Sequence, residues 1–377
     1  MDQERLSLLA LHFIPGIGNK LIKQLVSYCG SAGEVFRKPK GKLQMIPGVG
    51  PATAQSIAKG NTFGLAENEF KKAAREDSEI FFYTEKKYPG RLKAIDDAPT
   101  MLYFKGNCNL NHNKVVGIVG TRQATSYGKK IVENLVADLV PHQAMIVSGL
   151  AYGIDIHAHR QAIKQQLPTV GVMGSGLDVI YPGNHSDVAR RMMDHGGLIT
   201  ENTFGTKPDA HNFPSRNRII AGMCDALIVV EAAETGGALI TAEIANSYNK
   251  DVFAIPGALG QTYSEGCNKL IKINKAALLT SVKDLEYIMN WAPGIDNMPV
   301  SPARTVELTS EEQQVVDVIA TKGSSMQVDE LAWKTGIPQG VLATLLLHLE
   351  FKGVVKTLPG KLYQLTLQPS QTHPFRG

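Results

Sequence analysis

Cysteine is scarce in this chain, and so are tryptophan and long apolar runs. The four cysteines (Cys29, Cys108, Cys224, Cys267) stand far apart with no CxxC pair among them. That spacing argues against a disulfide framework or a zinc site and leads us to expect reduced structural thiols in a cytoplasmic protein. No stretch approaches 18 consecutive apolar residues, so no membrane contact is expected. The first residues carry acids at positions 2 and 4 and lack the apolar core of a signal peptide. A Walker A motif and a G-x-S-x-G elbow are both missing, which excludes a nucleotide-driven motor and a serine hydrolase. Gly117 and Gly120 do not give the G-x-G-x-x-G spacing, and no acid follows Ser148-Gly149, so no NAD or FAD is expected. We expect no cofactor, no metal and no catalysis.

Charge is nearly balanced, with 39 Lys/Arg against 35 Asp/Glu. The net +4 identifies no partner, but its distribution is uneven. Residues 1–60 are net +5, whereas residues 305–367 are net −2. Contact with nucleic acid is therefore expected away from the C-terminal end.

Within 377 residues there is room for two or three domains. Residues 1–64 contain a degenerate repeat: Pro15-Gly16-Ile17-Gly18 and Pro47-Gly48-Val49-Gly50 each precede a helical pattern. This is the helix-hairpin-helix signature of a SAM-like domain. Gly16, Gly18, Gly48 and Gly50, assisted by Lys20, could offer backbone amides to a DNA phosphate, or the hairpins could serve only to pack helices. Residues 65–111 read as a connector with a helix (65–76) and two strand-like pieces, 81–84 and 101–104.

From Val115 onward strands and helices alternate, the sign of a doubly wound, mainly parallel sheet. Strands are predicted at 115–119, 144–148, 169–173, 197–200, 226–230 and 251–255, together making an α/β domain over 65–291. Small or polar motifs follow nearly every strand, and ligands in such sheets sit beyond the carboxyl ends. Residues 292–304, rich in Pro, read as a linker. A winged helix follows over 305–367, with helices at 310–320, 328–335 and 339–351 and a hairpin turning at Pro359-Gly360, then a tail at 368–377. Its second helix exposes Gln339, Thr344, His348 and Glu350, poor equipment for the major groove, so protein contacts or regulation are favoured there.

Four stretches carry candidate chemistry. Gly120-Thr121-Arg122 can hold a phosphate through backbone amides and a guanidinium. In Ser148 to Asp155, glycines again favour close backbone approach, and Asp155 falls where a helix cap is expected. Phe213-Pro214-Ser215-Arg216-Asn217-Arg218 combines an aromatic face for a base with cations for phosphates, the mixture that single strands need. Its arginines could instead pair with Glu201 or Glu231. Gly236, in the turn Thr235-Gly236-Gly237, opens a helix and so makes a generic anion site. Asn268 and Lys269 could extend the same surface.

Many of these motifs occur, in order, in one family. Tyr88-Pro89, Val119-Gly120-Thr121-Arg122, Ser148 through Asp155, Gly174-Ser175-Gly176 with Tyr181-Pro182, Phe213–Ile220, Pro256-Gly257 and Gly266 through Ile271 together resemble the DNA processing protein A (DprA/Smf) family. A departure is Thr235-Gly236-Gly237, where many members have Ser-Gly-Ser. The resemblance implies an extended Rossmann-like domain that binds single-stranded DNA without sequence preference, forms a homodimer, and loads RecA recombinase during natural transformation. It places Gly120, Thr121, Arg122, Phe213, Arg216, Asn217 and Arg218 in the DNA pocket. The competing reading is an enzyme: the turn at 236–243 is similar to that of nucleoside-monophosphate phosphoribohydrolases, in which Glu243 would polarise the ribose.

Overall fold

The computed structural model describes residues 2–292, 308–322, 326–352, 354–358 and 362–365. The chain forms two compact units, Met1–Asn297 and Met298–Gly377. Most of the Pro-rich stretch at 292–304, the Pro359-Gly360 turn and the tail lie outside the described residues.

The first unit opens with α1 (Gln3–His12), α2 (Asn19–Cys29), α3 (Ala32–Arg37), α4 (Lys40–Leu43), α5 (Pro51–Lys59) and α6 (Phe63–Arg75). The repeated motif folds the same way twice. Gly16 and Gly48 take φ of +80° and +84°, which lets the chain reverse before α2 and α5. Ile14 and Ile17 in one turn, and Ile46 and Val49 in the other, point into the helical core.

A nine-stranded sheet follows, ordered β1-β2-β6-β5-β4-β3-β7-β8-β9. Its strands are β1 (Glu79–Phe82), β2 (Met101–Gly106), β3 (Val115–Val119), β4 (Met145–Ser148), β5 (Thr169–Val172), β6 (Gly197–Thr200), β7 (Ala226–Val229), β8 (Asp251–Ala254) and β9 (Ala277–Leu278). The six predicted parallel strands appear as β3 to β8, each within a residue or so of its expected span. β3 and β7 are buried on both faces, as their uninterrupted apolar sequence requires. Residues 79–106 do more than connect: β2 pairs antiparallel with β6, and β1 pairs antiparallel with β2 at the sheet edge. Around the sheet pack α7 (Gly90–Lys93), α8 (Ser126–Asp138), α9 (Ile154–Lys164), α10 (Ser186–His195), α11 (Asn212–Met223), α12 (Gly237–Ser247), α13 (Glu265–Lys272) and α14 (Val282–Met289).

The N-terminal helices share a core with the sheet. Leu6, Leu9, Ile22 and Ala66 belong to the same apolar cluster as Phe82, Met101, Tyr103, Met173 and Leu177. Arg5 fastens the junction. It donates to the Ile80 carbonyl and pairs with Glu85 at 2.9 Å. Its guanidinium also lies 5.4 Å from the Phe82 ring centroid. Asn19, the first residue of α2, accepts from the Thr100 amide and hydroxyl at 2.9 and 2.8 Å.

The second unit contains α15 (Ser310–Lys322), α16 (Val328–Thr335) and α17 (Gln339–Phe351), with strands β10 (Met326–Gln327), β11 (Val355–Leu358) and β12 (Leu362–Leu365). The three strands form one sheet ordered β10-β12-β11, giving the expected winged helix. Thr309 caps α15: it and Glu312 bond reciprocally at 2.8 and 3.3 Å. Gln339, Thr344, His348 and Glu350 are exposed on α17.

Candidate nucleic-acid interface

Strand order places a switch point in the sheet. The chain runs β3, β4, β5, β6 in one direction, then returns to lay β7 on the other side of β3. Loops leaving β3 and β7 therefore diverge and open a crevice beyond their carboxyl ends. A cleft of about 790 Å3 occupies that place. Gly120, Thr121, Arg122 and Gln123 after β3 form one wall; Ala232, Ala233 and Thr235 to Ala238 form the other. Phe213, Pro214, Arg216 and Asn217 of α11 close its back, with Tyr181 at the rim.

The walls favour anions. The amino end of α12 opens into the cleft, and its cap residue Gly236 supplies no side-chain hydrogen bond. Its first amides thus remain available, at the positive end of the helix dipole. Arg122 is exposed and makes no ion pair among the described residues. Its guanidinium carbon stands 5.8 Å from the centroid of Phe213. Among the described lining residues Asp155 supplies the single carboxylate, and it is buried.

Arg216 is organised differently. It is fully enclosed and donates to the carbonyls of Gly149 and Val172. Gly149 permits this approach, since a Cβ there would stand 2.2 Å from a guanidinium nitrogen. Burial lowers the Arg216 pKa to about 10, so the group remains a cation at neutral pH. Burial raises the Asp155 carboxyl, while Arg216 and the Gly149 and Ala151 amides oppose that shift. The Arg216 Nε is buried without a partner, and an orphaned donor of this kind costs about 1–3 kcal/mol until something accepts from it.

Several expected site residues lie elsewhere. Arg218 turns away: it pairs with Glu201 and donates to the Asp97 carbonyl. These residues form the first turns of α11. Two positions along a helix lie roughly 200° apart, so Arg216 and Arg218 cannot share a face. Ser148 and Gly149 sit behind the wall. The Ser148 hydroxyl donates to the Ile118 carbonyl at 2.6 Å, and the Gly149 amide donates to Asp155 at 3.2 Å. Asp155 therefore ties down the preceding loop, and its helix begins from Gly153. Asn268 clamps Gly257 through both its amide and carbonyl, at 3.1 and 2.9 Å, and Lys269 is exposed outside the cleft lining. Glu231 pairs with no arginine among the described residues; its carboxylate accepts from the Thr125 amide and hydroxyl before α8. Gly16, Gly18, Gly48, Gly50 and Lys20 are exposed on the helical region, outside this cleft.

Tyr181 was missed as a site residue. It is 49% exposed, with its ring centroid 5.9 Å from that of Phe213. Only its place in a Tyr-Pro pair after a glycine-rich turn marked it in the sequence.

A family model described as DNA recombination-mediator protein A matches residues 79–290. The chain belongs to the DNA processing protein A family. Models of the DprA winged helix domain and of a SAM-like helix-hairpin-helix tandem match residues 299–361 and 8–60. Protein Smf of Synechocystis sp. is 30% identical over 96% of this chain and 99% of its own length. The structure of DNA processing protein A from Streptococcus pneumoniae is similar, with a TM-score of 0.67 at 32% identity, covering 76% of this chain and 98% of that one. A second member, from Helicobacter pylori, is described by its single-stranded DNA binding mode. It aligns with a TM-score of 0.51 at 27% identity, over 56% of this chain and 95% of its own.

Proposed function

We propose that this chain binds single-stranded DNA without sequence preference in the cleft between β3 and β7. We further propose that it is a cytoplasmic homodimer that protects incoming strands and loads RecA recombinase onto them during natural transformation, with no bond broken. The observation that carries the binding is Arg122: an exposed guanidinium without an ion-pair partner among the described residues, at the mouth of a cleft whose other wall is an uncapped helix end. An open, cation-lined crevice with an exposed aromatic rim suits a flexible polyanion with bases. The Helicobacter pylori relative, described as binding single-stranded DNA, supports the same reading. Dimerisation and RecA loading rest on family membership.

The phosphoribohydrolase reading is disfavoured by the position of Glu243. Its carboxylate pairs with Lys275 at 2.9 Å and does not line the cleft, so it cannot polarise a ribose held there. A salt titration of oligonucleotide binding tests the proposal. The logarithm of the affinity should fall linearly with the logarithm of salt, by about 0.7 for each phosphate neutralised. Equal affinity at low and moderate salt would sink it, as would release of free base from nucleotides by the purified protein.

A further inference from the structure

A second cationic depression lies between α6 and the loop that follows β6. Asn68, Lys71, Lys72 and Arg75 form one side, with Phe13 and Thr203 among the residues opposite, around about 360 Å3. Those four α6 positions recur at three- and four-residue intervals and so share a helix face. Among the described residues one carboxylate lines the groove, Glu69, and it is already engaged. It accepts from the Tyr103 hydroxyl at 3.1 Å, the Phe204 amide at 2.7 Å and Lys72 at 3.3 Å. Lys71 and Arg75 are exposed and make no ion pair among the described residues. The groove therefore presents positive charge with no negative charge free to answer it, beside the half-buried ring of Phe13.

The loop after β6 joins this groove to the cleft. Thr203 and Phe204 line the groove, Pro208 and Ala210 line the cleft, and exposed Lys207 lies between them. Ala210 lies seven positions beyond Thr203, a reach of at most about 25 Å fully extended. A chain of phosphates following this loop would meet cations at both ends and Lys207 in the middle, passing the exposed Asp209, whose carboxylate accepts from the His211 amide at 2.8 Å.

We propose that the α6 groove is a second phosphate-binding segment on the path of the same single strand, reached over the 203–210 loop. This rests on the cleft being the primary single-strand site. The groove is shallow and offers point charges, so it adds affinity and length of footprint but no base preference.

Full-length protein and two labelled oligonucleotides test this, one of about 5 nucleotides and one of about 20, bracketing common single-strand site sizes. The double variants Lys71→Gln/Arg75→Gln and Lys71→Glu/Arg75→Glu change only exposed side chains. In the charge-reversed variant the long oligonucleotide should bind at least about tenfold more weakly, while the short one binds as to the parent. In the neutral variant the salt slope for the long oligonucleotide should shrink by about 1.4, two phosphates at roughly 0.7 each. Unchanged affinity and slope for the long oligonucleotide would overturn the proposal and leave the groove to an acidic peptide. Equal weakening of both lengths would also overturn it, by showing a diffuse charge effect. If the parent bound neither length, the fault would lie with the cleft reading itself.

Discussion

Arg122 and Arg216 approach the same ring, that of Phe213, at 5.8 and 5.9 Å from its centroid. The ring also packs on Gly174, where a Cβ would stand 3.1 Å away. Phe213 is thus largely occupied by the protein itself. It holds the exposed guanidinium over the cleft, and the buried one props it from behind. The two arginines, alike in sequence, are expected to respond differently to removal.

For Arg122→Ala we expect weaker binding of every single-stranded sequence, by roughly tenfold or more, from about 1.5–3 kcal/mol for a hydrogen bond to a charged group. The salt slope should fall by about 0.7. Thermal unfolding should match the parent, because Arg122 is exposed. Fluorescence anisotropy and a melting curve check both halves.

Arg216→Ala should cost stability first. It leaves the Gly149 and Val172 carbonyls without their donor and Asp155 without a neighbouring cation, at the buried back of the cleft. Leaving a buried hydrogen-bonding group without its partner typically costs about 1–3 kcal/mol. Urea unfolding should show a lower midpoint, and the double variant Arg216→Ala/Asp155→Asn should recover part of the loss. A midpoint equal to the parent's would contradict this placement.

Tyr181 supplies the exposed ring. Tyr181→Ala should weaken binding by about 1–3 kcal/mol, the range for one stacked base, irrespective of sequence. Tyr181→Trp should bind at least as well as the parent. Competition among homopolymeric oligonucleotides reads both effects.

His159 makes stability depend on acid. The Thr169 hydroxyl donates to the Ile146 carbonyl at 3.0 Å, so its oxygen accepts from the His159 Nδ1–H at 2.7 Å. The Nε2 atom is buried without a partner. Burial, with Arg216 and His185 nearby, drives the His159 pKa from 6.5 down to about 3. The unfolded chain therefore takes up a proton below about pH 6.5 that the folded chain refuses. Stability should be full above that pH and fall by up to about 1.4 kcal/mol per unit as pH drops towards 3. Urea midpoints at pH 7 and pH 5 measure the slope. His159→Gln, though less stable at pH 7, should lose less between the two.

Much of the fold was legible because it rests on local pattern. Apolar runs such as Val115–Val119 and Ala226–Val229 can be satisfied only inside a covered parallel sheet, and the two Pro-Gly turns each announced a helix. Pairing of β2 with β6 was not legible, since register between segments almost 100 residues apart leaves no trace in either one. In the cleft, Gly120, Thr121, Arg122, Phe213, Asn217 and Gly236 were named and do line it. Arg218 came into the pocket with the motif as a whole, and helical phase turns it away from Arg216 towards Glu201. Asn268 and Ser148 were misplaced because short polar side chains after strands serve backbone carbonyls and amides as readily as ligands.

The shared core of α1 to α6 with the sheet fixes a length. Leu9 and Ile22 belong to the same apolar cluster as Tyr103 and Met173, so the α6 groove and the cleft are carved into one body. On the proposed path their separation cannot be adjusted to the strand; the strand would have to adjust to it. A nuclease digesting bound DNA would then leave fragments of one preferred size, and the protein would act as a ruler for the segment it shields.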